Sequence, residues 1–257
     1  HAAEAPAPDA AIPSDPAKLA AALSRTTTDL YGAIDAWTKS AQQQPPKDLV
    51  LRALYHQRVY RVLARNKTLA ARTVARLPKA QRAEARDNVT AVGDLLSLAR
   101  PITDAQRAKL RLATAAPAKR LRGYFTRAEK RFGVEWEVLA AIMLVETKFG
   151  RVRSASSTGA QGPMQFMPGT WKAYGMGGNV HDTGDAVLGA ANYLKASGAP
   201  GNYRRAIWAY NHDNRYVNAV LAHARAMKRD PRSFYAYYNW QVFTLAKSGD
   251  VRMTGPR

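Results

Sequence analysis

Three features of the 257-residue sequence predict an all-α fold. Apolar residues recur at three- and four-residue spacing along most of the chain. Strand-like alternation persists nowhere. Proline and glycine stand where helices would begin and stop. The length suits one large domain or two small ones and is enough to bury a core without covalent staples. With 46% hydrophobic and 23% charged residues, the composition excludes a disordered or collagen-like chain.

Residues 1–16 are rich in Ala and Pro, show no apolar periodicity, and are expected to form a disordered lead. The chain does not start with Met and shows no signal-peptide core, so a mature secreted form with its signal peptide removed is expected. Residues 17–112 are expected to form a basic N-terminal helical region. Leu19, Leu23, Leu30, Ile34 and Trp37 mark its first helix, which Pro45-Pro46 ends. Leu51, Leu54, Val59, Val62 and Leu63 mark a second, with arginine on its other face. Pro78 opens a third, running through Val92 and Leu96 to Arg100-Pro101.

Residues 113–257 are read as the second domain, with shorter helices and longer loops. One helix runs from Pro117 to Arg131 and is broken by Gly133. The next runs from Trp136 to Phe149 and is closed by Gly150. A Ser/Gly loop follows, and Pro168 opens a helical turn through Trp171. Asp182 is placed as the N-cap of a helix reaching Leu194, with a stop at Gly198. Helices over 202–210 and 213–227 complete the set, and any sheet is confined to a small hairpin.

Lys and Arg exceed Asp and Glu by 39 to 19, a formal charge of +20. Residues 1–50 carry a net −2, residues 51–120 a net +12 and residues 121–257 a net +10. Such an excess either solvates the surface or favours polyanions: nucleic acid, acidic lipid or an anionic wall. There is no cysteine, which excludes disulfides, thiolate metal sites and cysteine catalysis. The longest apolar run, Val138 to Val145, falls far short of the ~20 residues that span a bilayer, so no transmembrane helix is expected.

That run ends at Glu146. On a helix its neighbours one turn away are Ile142, Met143 and Phe149, all apolar. Desolvation disfavours a charged carboxyl, so its pKa should rise toward neutrality, as a general acid acting on a glycosidic oxygen requires. Downstream, Gly162-Pro163-Met164-Gln165-Phe166-Met167-Pro168 combines tight backbone, a side-chain amide and apolar surface, as small-molecule clefts do. The five histidines have no metal-ligand spacing, and no metal or cofactor is expected.

Three motifs in order, Glu146-Thr147, Gly159-Ala160-Gln161-Gly162-Pro163-Met164-Gln165 and Ala209-Tyr210-Asn211, resemble those of bacterial lytic transglycosylases with a goose-lysozyme-like SLT domain. The likeness covers residues 113 to 257. The tail from Arg229 through Pro231 to Phe243, with the helical arm, resembles the actinobacterial secreted branch. The resemblance implies a lysozyme-like fold and cleavage of the β-1,4 bond between N-acetylmuramic acid and N-acetylglucosamine in peptidoglycan, leaving 1,6-anhydro ends. It implies Glu146 as sole acid and base, with the substrate's N-acetyl group as nucleophile, whereas ordinary glycosidases use two carboxylates. Gln165 would then hydrogen-bond sugar or the Glu146 carboxyl, and Met164 would line the cleft. Tyr210 would orient the N-acetyl group beside Asn211. Ser156 takes the place of a family serine, with Ser154 and Ser157 as alternatives. Phe166, Trp171, Tyr174 and Tyr203 are candidates for stacking on sugar rings, or for packing. Pro163 departs from the family leucine and His212 from its frequent glycine. The loop Gly175–His181 lacks the carboxylates of a calcium site.

The leading expectation is therefore a monomeric enzyme of the cell wall, with peptidoglycan strands as partner and the basic surface facing anionic wall polymers. A muramidase-type hydrolase of the same fold is one alternative. A basic helical nucleic-acid binder is another, disfavoured because no nucleic-acid-binding module is recognisable.

Overall fold

The structure, a computed structural model, describes residues 3–257. In chain order it contains α1 (Pro16–Lys39), α2 (Lys47–Ala64), α3 (Lys67–Ala75), α4 (Lys79–Leu98), α5 (Asp104–Ala108), α6 (Ala118–Phe132) and α7 (Trp136–Thr147). There follow α8 (Pro168–Tyr174), α9 (Thr183–Ala196), α10 (Tyr203–Tyr210), α11 (Asn214–Arg229) and α12 (Arg232–Tyr238). A hairpin of β1 (Val242–Ala246) and β2 (Gly249–Met253) closes the chain, with Val242 opposite Met253. The fold is all-α, as expected, and the hairpin is the only sheet among the described residues. No helix is long and apolar enough to cross a membrane among the described residues.

Local chemistry sets most of these ends. Asp15 caps α1 by accepting from Lys18 N at 2.9 Å, with Pro16 at the first helical position. Asp182 caps α9 as expected, accepting from Asp185 N at 2.8 Å. Two helices escaped the sequence reading. Asn66 caps the nine-residue α3, and the seven-residue α12 follows Pro231. Both are too short for periodicity to register.

The chain forms two compact units. The first takes the chain up to Ser97 together with Arg225–Trp240; the second is Leu98–Ala224 with Gln241–Arg257. The expected boundary at residue 112 therefore falls earlier, and residues 225–240 belong with the N-terminal helices. Pairing across long sequence separations explains both differences. Ile102 N donates to Leu245 O at 2.8 Å, Arg107 Nε to Thr244 Oγ1 at 2.9 Å, and Leu112 N to Arg257 O at 3.1 Å. The hairpin thus claims the 98–112 segment. In the first unit Trp240 Nε1 donates to His56 Nδ1 at 3.2 Å, and Trp37 packs against Tyr235 and Tyr238.

The lead also differs from expectation. Residues 1–2 lie outside the described residues, but those that follow lie along α2. Arg52 Nη2 donates to Ala3 O at 2.6 Å, Arg58 Nη1 to Ala10 O at 2.8 Å and Tyr55 Oη to Ala11 O at 3.3 Å. An extended Pro-rich segment has few internal partners for its carbonyls, and the α2 donors supply them.

In the second unit α7 is the central helix. Every residue from Val138 to Leu144 is buried, the mark of a helix packed on all sides. The helices α6 and α9 pack against it, and Leu121 and Phe125 of α6 and Val187 and Leu194 of α9 are completely buried, as are Ile207 of α10 and Val220 of α11. Glu146 ends this apolar rod.

Candidate active site

The corner after Glu146 is built by backbone rather than by glycine alone. The expected helix to Phe149 stops at Thr147, because Lys148 (φ 51°) and Phe149 (φ 58°) turn left-handed ahead of Gly150 (φ 83°). Thr147 holds the turn. Its Oγ1 accepts from Gly150 N at 2.9 Å and donates to Pro163 O at 2.8 Å. This second bond ties the end of α7 to the loop that carries Gln165.

That loop is pinned from several sides. Gln161 and Phe166 exchange both backbone bonds at 2.9 Å. Gly162 sits at φ 76°, and a Cβ there would lie 2.1 Å from Val180 O, so no other residue fits. Gln165 is itself left-handed at φ 53°, and its Nε2 donates to Gly162 O at 2.9 Å. The Tyr210 hydroxyl donates to Met164 O.

These elements enclose a cavity of about 680 Å3, within the range of ligand sites. Glu146, Ser156, Gln165, Phe166, Tyr210 and Asn211 all line it. Among the described residues Glu146 is the only carboxyl on its wall. The group is half-buried, and burial pushes its pKa up to about 8. Among the described residues no hydrogen bond or ion pair reaches it. Burial, and then the charge of Glu146, also raise the Tyr210 phenol well above its ordinary value.

Two of the expected lining residues stand elsewhere. Met164 is wholly buried in the core and offers the site only its carbonyl. Trp171 is a supporting wall. It packs on Phe166 at 5.0 Å between ring centres and donates Nε1–H to Gly178 O at 3.2 Å. Gly175 and Gly189 make room for it, since a Cβ at either would lie within 2.6 Å of the indole. Tyr174 packs on Tyr193, and the Tyr203 hydroxyl accepts from Glu135 N at 2.9 Å, ahead of α7. Of the three serines, Ser156 lines the cavity, its Oγ accepting from Ala160 N at 2.9 Å, whereas Ser154 Oγ accepts from Arg111 N.

Two tyrosines were missed by the sequence reading. Tyr193 lines the cavity from α9 and donates to Ala209 O at 3.0 Å. Tyr216, in the first turn of α11, is buried, and its hydroxyl has no partner among the described residues. Burial and then the Glu146 charge raise its phenol, as for Tyr210. Its position within the apolar stripe Tyr216, Val217, Val220 marked it only as core. Among the described residues no group of three His, Asp or Glu side chains could hold a metal ion.

The model of the Transglycosylase SLT domain family matches residues 123–232, a span that includes Glu146, Gln165 and Tyr210. No solved structure matches the chain.

Proposed function

We propose, from the premise that residues 123–232 are a transglycosylase SLT domain, that the chain is a peptidoglycan lytic transglycosylase in which Glu146 is both acid and base. The observation that carries this reading is one carboxyl, alone on the wall of a glycan-sized cavity, with its pKa raised by burial to about 8. A carboxylic acid that keeps its proton at neutral pH can donate it to the glycosidic oxygen as the C1–O bond breaks. With no second carboxylate on the wall, the nucleophile comes from the substrate. The muramoyl N-acetyl oxygen bonds to C1 and forms an oxazolinium. Ionised Glu146 then takes the proton of the C6 hydroxyl, whose oxygen displaces the acetamido oxygen at C1. The product is a 1,6-anhydro end, and Glu146 is protonated again.

The neighbours divide the remaining work. The Tyr210 proton is committed to Met164 O, so its oxygen is the part that accepts from the substrate N–H. Gln165 commits an N–H to Gly162 O, which leaves its amide oxygen for a sugar hydroxyl. Ser156 and Asn211 line the cavity. Tyr216 has an uncommitted hydroxyl and is the donor suited to steady Glu146 while it is ionised. The net +12 of residues 51–120 holds the enzyme on anionic wall polymers outside the cytoplasm, and wall binding that is unchanged in molar salt would argue against this role.

Mass spectrometry of digested peptidoglycan tests the reading. Native protein should release muropeptides lighter by one water than hydrolysed ones, and Glu146→Gln should release none while still binding the wall. Full-mass reducing ends would make the protein a muramidase instead.

A further inference from the structure

The first unit holds a second cavity, of about 500 Å3, large enough for a small molecule or the end of a peptide. It opens between α1, the start of α4 and the corner from α11 to α12. Part of its wall, Asp230 to Ser233, belongs to the C-terminal motif for which the catalytic reading finds no use.

Its hydrogen-bond commitments are one-sided. Its two arginines each hold a carboxylate. Arg232 places Nη2 at 2.8 Å from Asp230 Oδ2 and Nη1 at 3.3 Å from Asp35 Oδ2. Arg229 Nη2 lies 2.7 Å from Asp87 Oδ2. The Tyr31 hydroxyl donates to Glu84 Oε1, and Ser233 Oγ donates to the same oxygen at 3.4 Å. What is left over is acceptors. Gln81 Oε1 is buried with no partner among the described residues. Its Nε2 reaches Ser24 O and Thr28 Oγ1 only at 3.5 Å. Glu84 Oε2 takes no hydrogen bond among the described residues. Gln81 and Glu84 are three residues apart on α4, where side chains are neighbours. Burial, reinforced by the Asp230 charge, raises the Glu84 pKa, which a cation would offset. In a chain of net charge +20, a pocket whose vacant valences are all acceptors is selective for a donor.

We propose that this cavity binds the primary ammonium group of a short peptide, seated between Gln81 Oε1 and Glu84 Oε2. An ammonium is a compact cation with three donors on a flexible stem. The cavity exceeds what that group alone requires, which leaves room for the peptide that carries it. The assignment is independent of the role of Glu146.

Calorimetric titration of the full chain tests it with three probes: N-acetyl-alanyl-lysine, the same peptide acetylated on Nζ, and cadaverine. The lysine peptide should bind saturably, and acetylation of Nζ should abolish binding. Gln81→Leu and Glu84→Gln should each weaken it tenfold or more. Gln81→Leu removes an unpartnered buried acceptor, so its melting temperature should not fall, which separates lost binding from lost fold. Glu146→Gln should bind as the native chain does. Binding of cadaverine alone would overturn the peptide assignment. Absence of binding in every arm at millimolar concentration, or unchanged affinity in both variants, would overturn the site.

Discussion

At the scale of the residue, Glu146 links sequence to chemistry through desolvation. Its raised pKa, about 8, has a defined sign for stability. The unfolded carboxyl ionises freely above its ordinary value, whereas the folded one resists until pH 8. The native state therefore loses stability as pH rises between these values, by on the order of 2–4 kcal/mol. Glu146→Gln escapes that penalty. It should be inactive at every pH, and its melting temperature should exceed that of the native protein at pH 8–9 while nearly matching it at pH 5. Equal melting at both pH values would show an unburied carboxyl. Tyr216→Phe gives a second test. Deleting a hydroxyl that has no partner should leave stability unchanged or raised. If that hydroxyl steadies ionised Glu146, activity should fall about tenfold, worth ~1.4 kcal/mol, and the alkaline limb of the rate profile should move up in pH. Unchanged kinetics would reduce Tyr216 to packing. The sequence made Glu146 legible because an apolar run from Val138 to Val145 precedes it, and all of that run but Val145 is buried. It hid Tyr216, because a buried tyrosine in an apolar stripe looks the same whether or not its hydroxyl faces a carboxyl.

At the scale of the element, α7 and the loop from Gly162 to Phe166 define the site, and one was more readable than the other. The helix followed from its composition. Its end did not, because Lys148 and Phe149 adopt φ above 50° against their own preference. Tertiary bonds from Thr147 to Gly150 N and Pro163 O hold that turn. Nor could local pattern show that Met164 points inward, since the loop's inner and outer faces are set by Val180 and Tyr210, far along the chain. Gly162→Ala tests this loop. Its Cβ would stand 2.1 Å from Val180 O, and the φ of 76° is unfavourable besides. A loss of about 2 kcal/mol or more is expected from such strain, together with most of the activity, as Gln165 is displaced. Native-like melting and turnover would mean that the loop is not pinned there.

At the scale of the whole molecule, helices were legible and their grouping was not. Unit boundaries depend on which distant segments pair. The claim of β1 on residues 98–112, like that of α2 on Trp240, leaves no local mark. The two units share one consequence of burial. His56 in the first and His223 in the second are each held neutral, with burial lowering their pKa to about 3. Unfolded histidine takes up a proton near pH 6.5, and the folded ones cannot until about pH 3. Stability is thus present above pH 6.5 and is lost as pH falls toward 3, by up to a few kcal/mol for each residue. Thermal melts from pH 7 to pH 4 should show a steep fall that His56→Gln makes shallower. A flat profile would mean that both imidazoles reach solvent.

The central claim is that one protein carboxyl suffices because the sugar supplies its own nucleophile. Digestion of peptidoglycan in water enriched in heavy oxygen tests it most directly. The account predicts anhydro-terminated muropeptides that carry no label, since no water oxygen enters at C1. Reducing ends that carry the label in stoichiometric amount would contradict it.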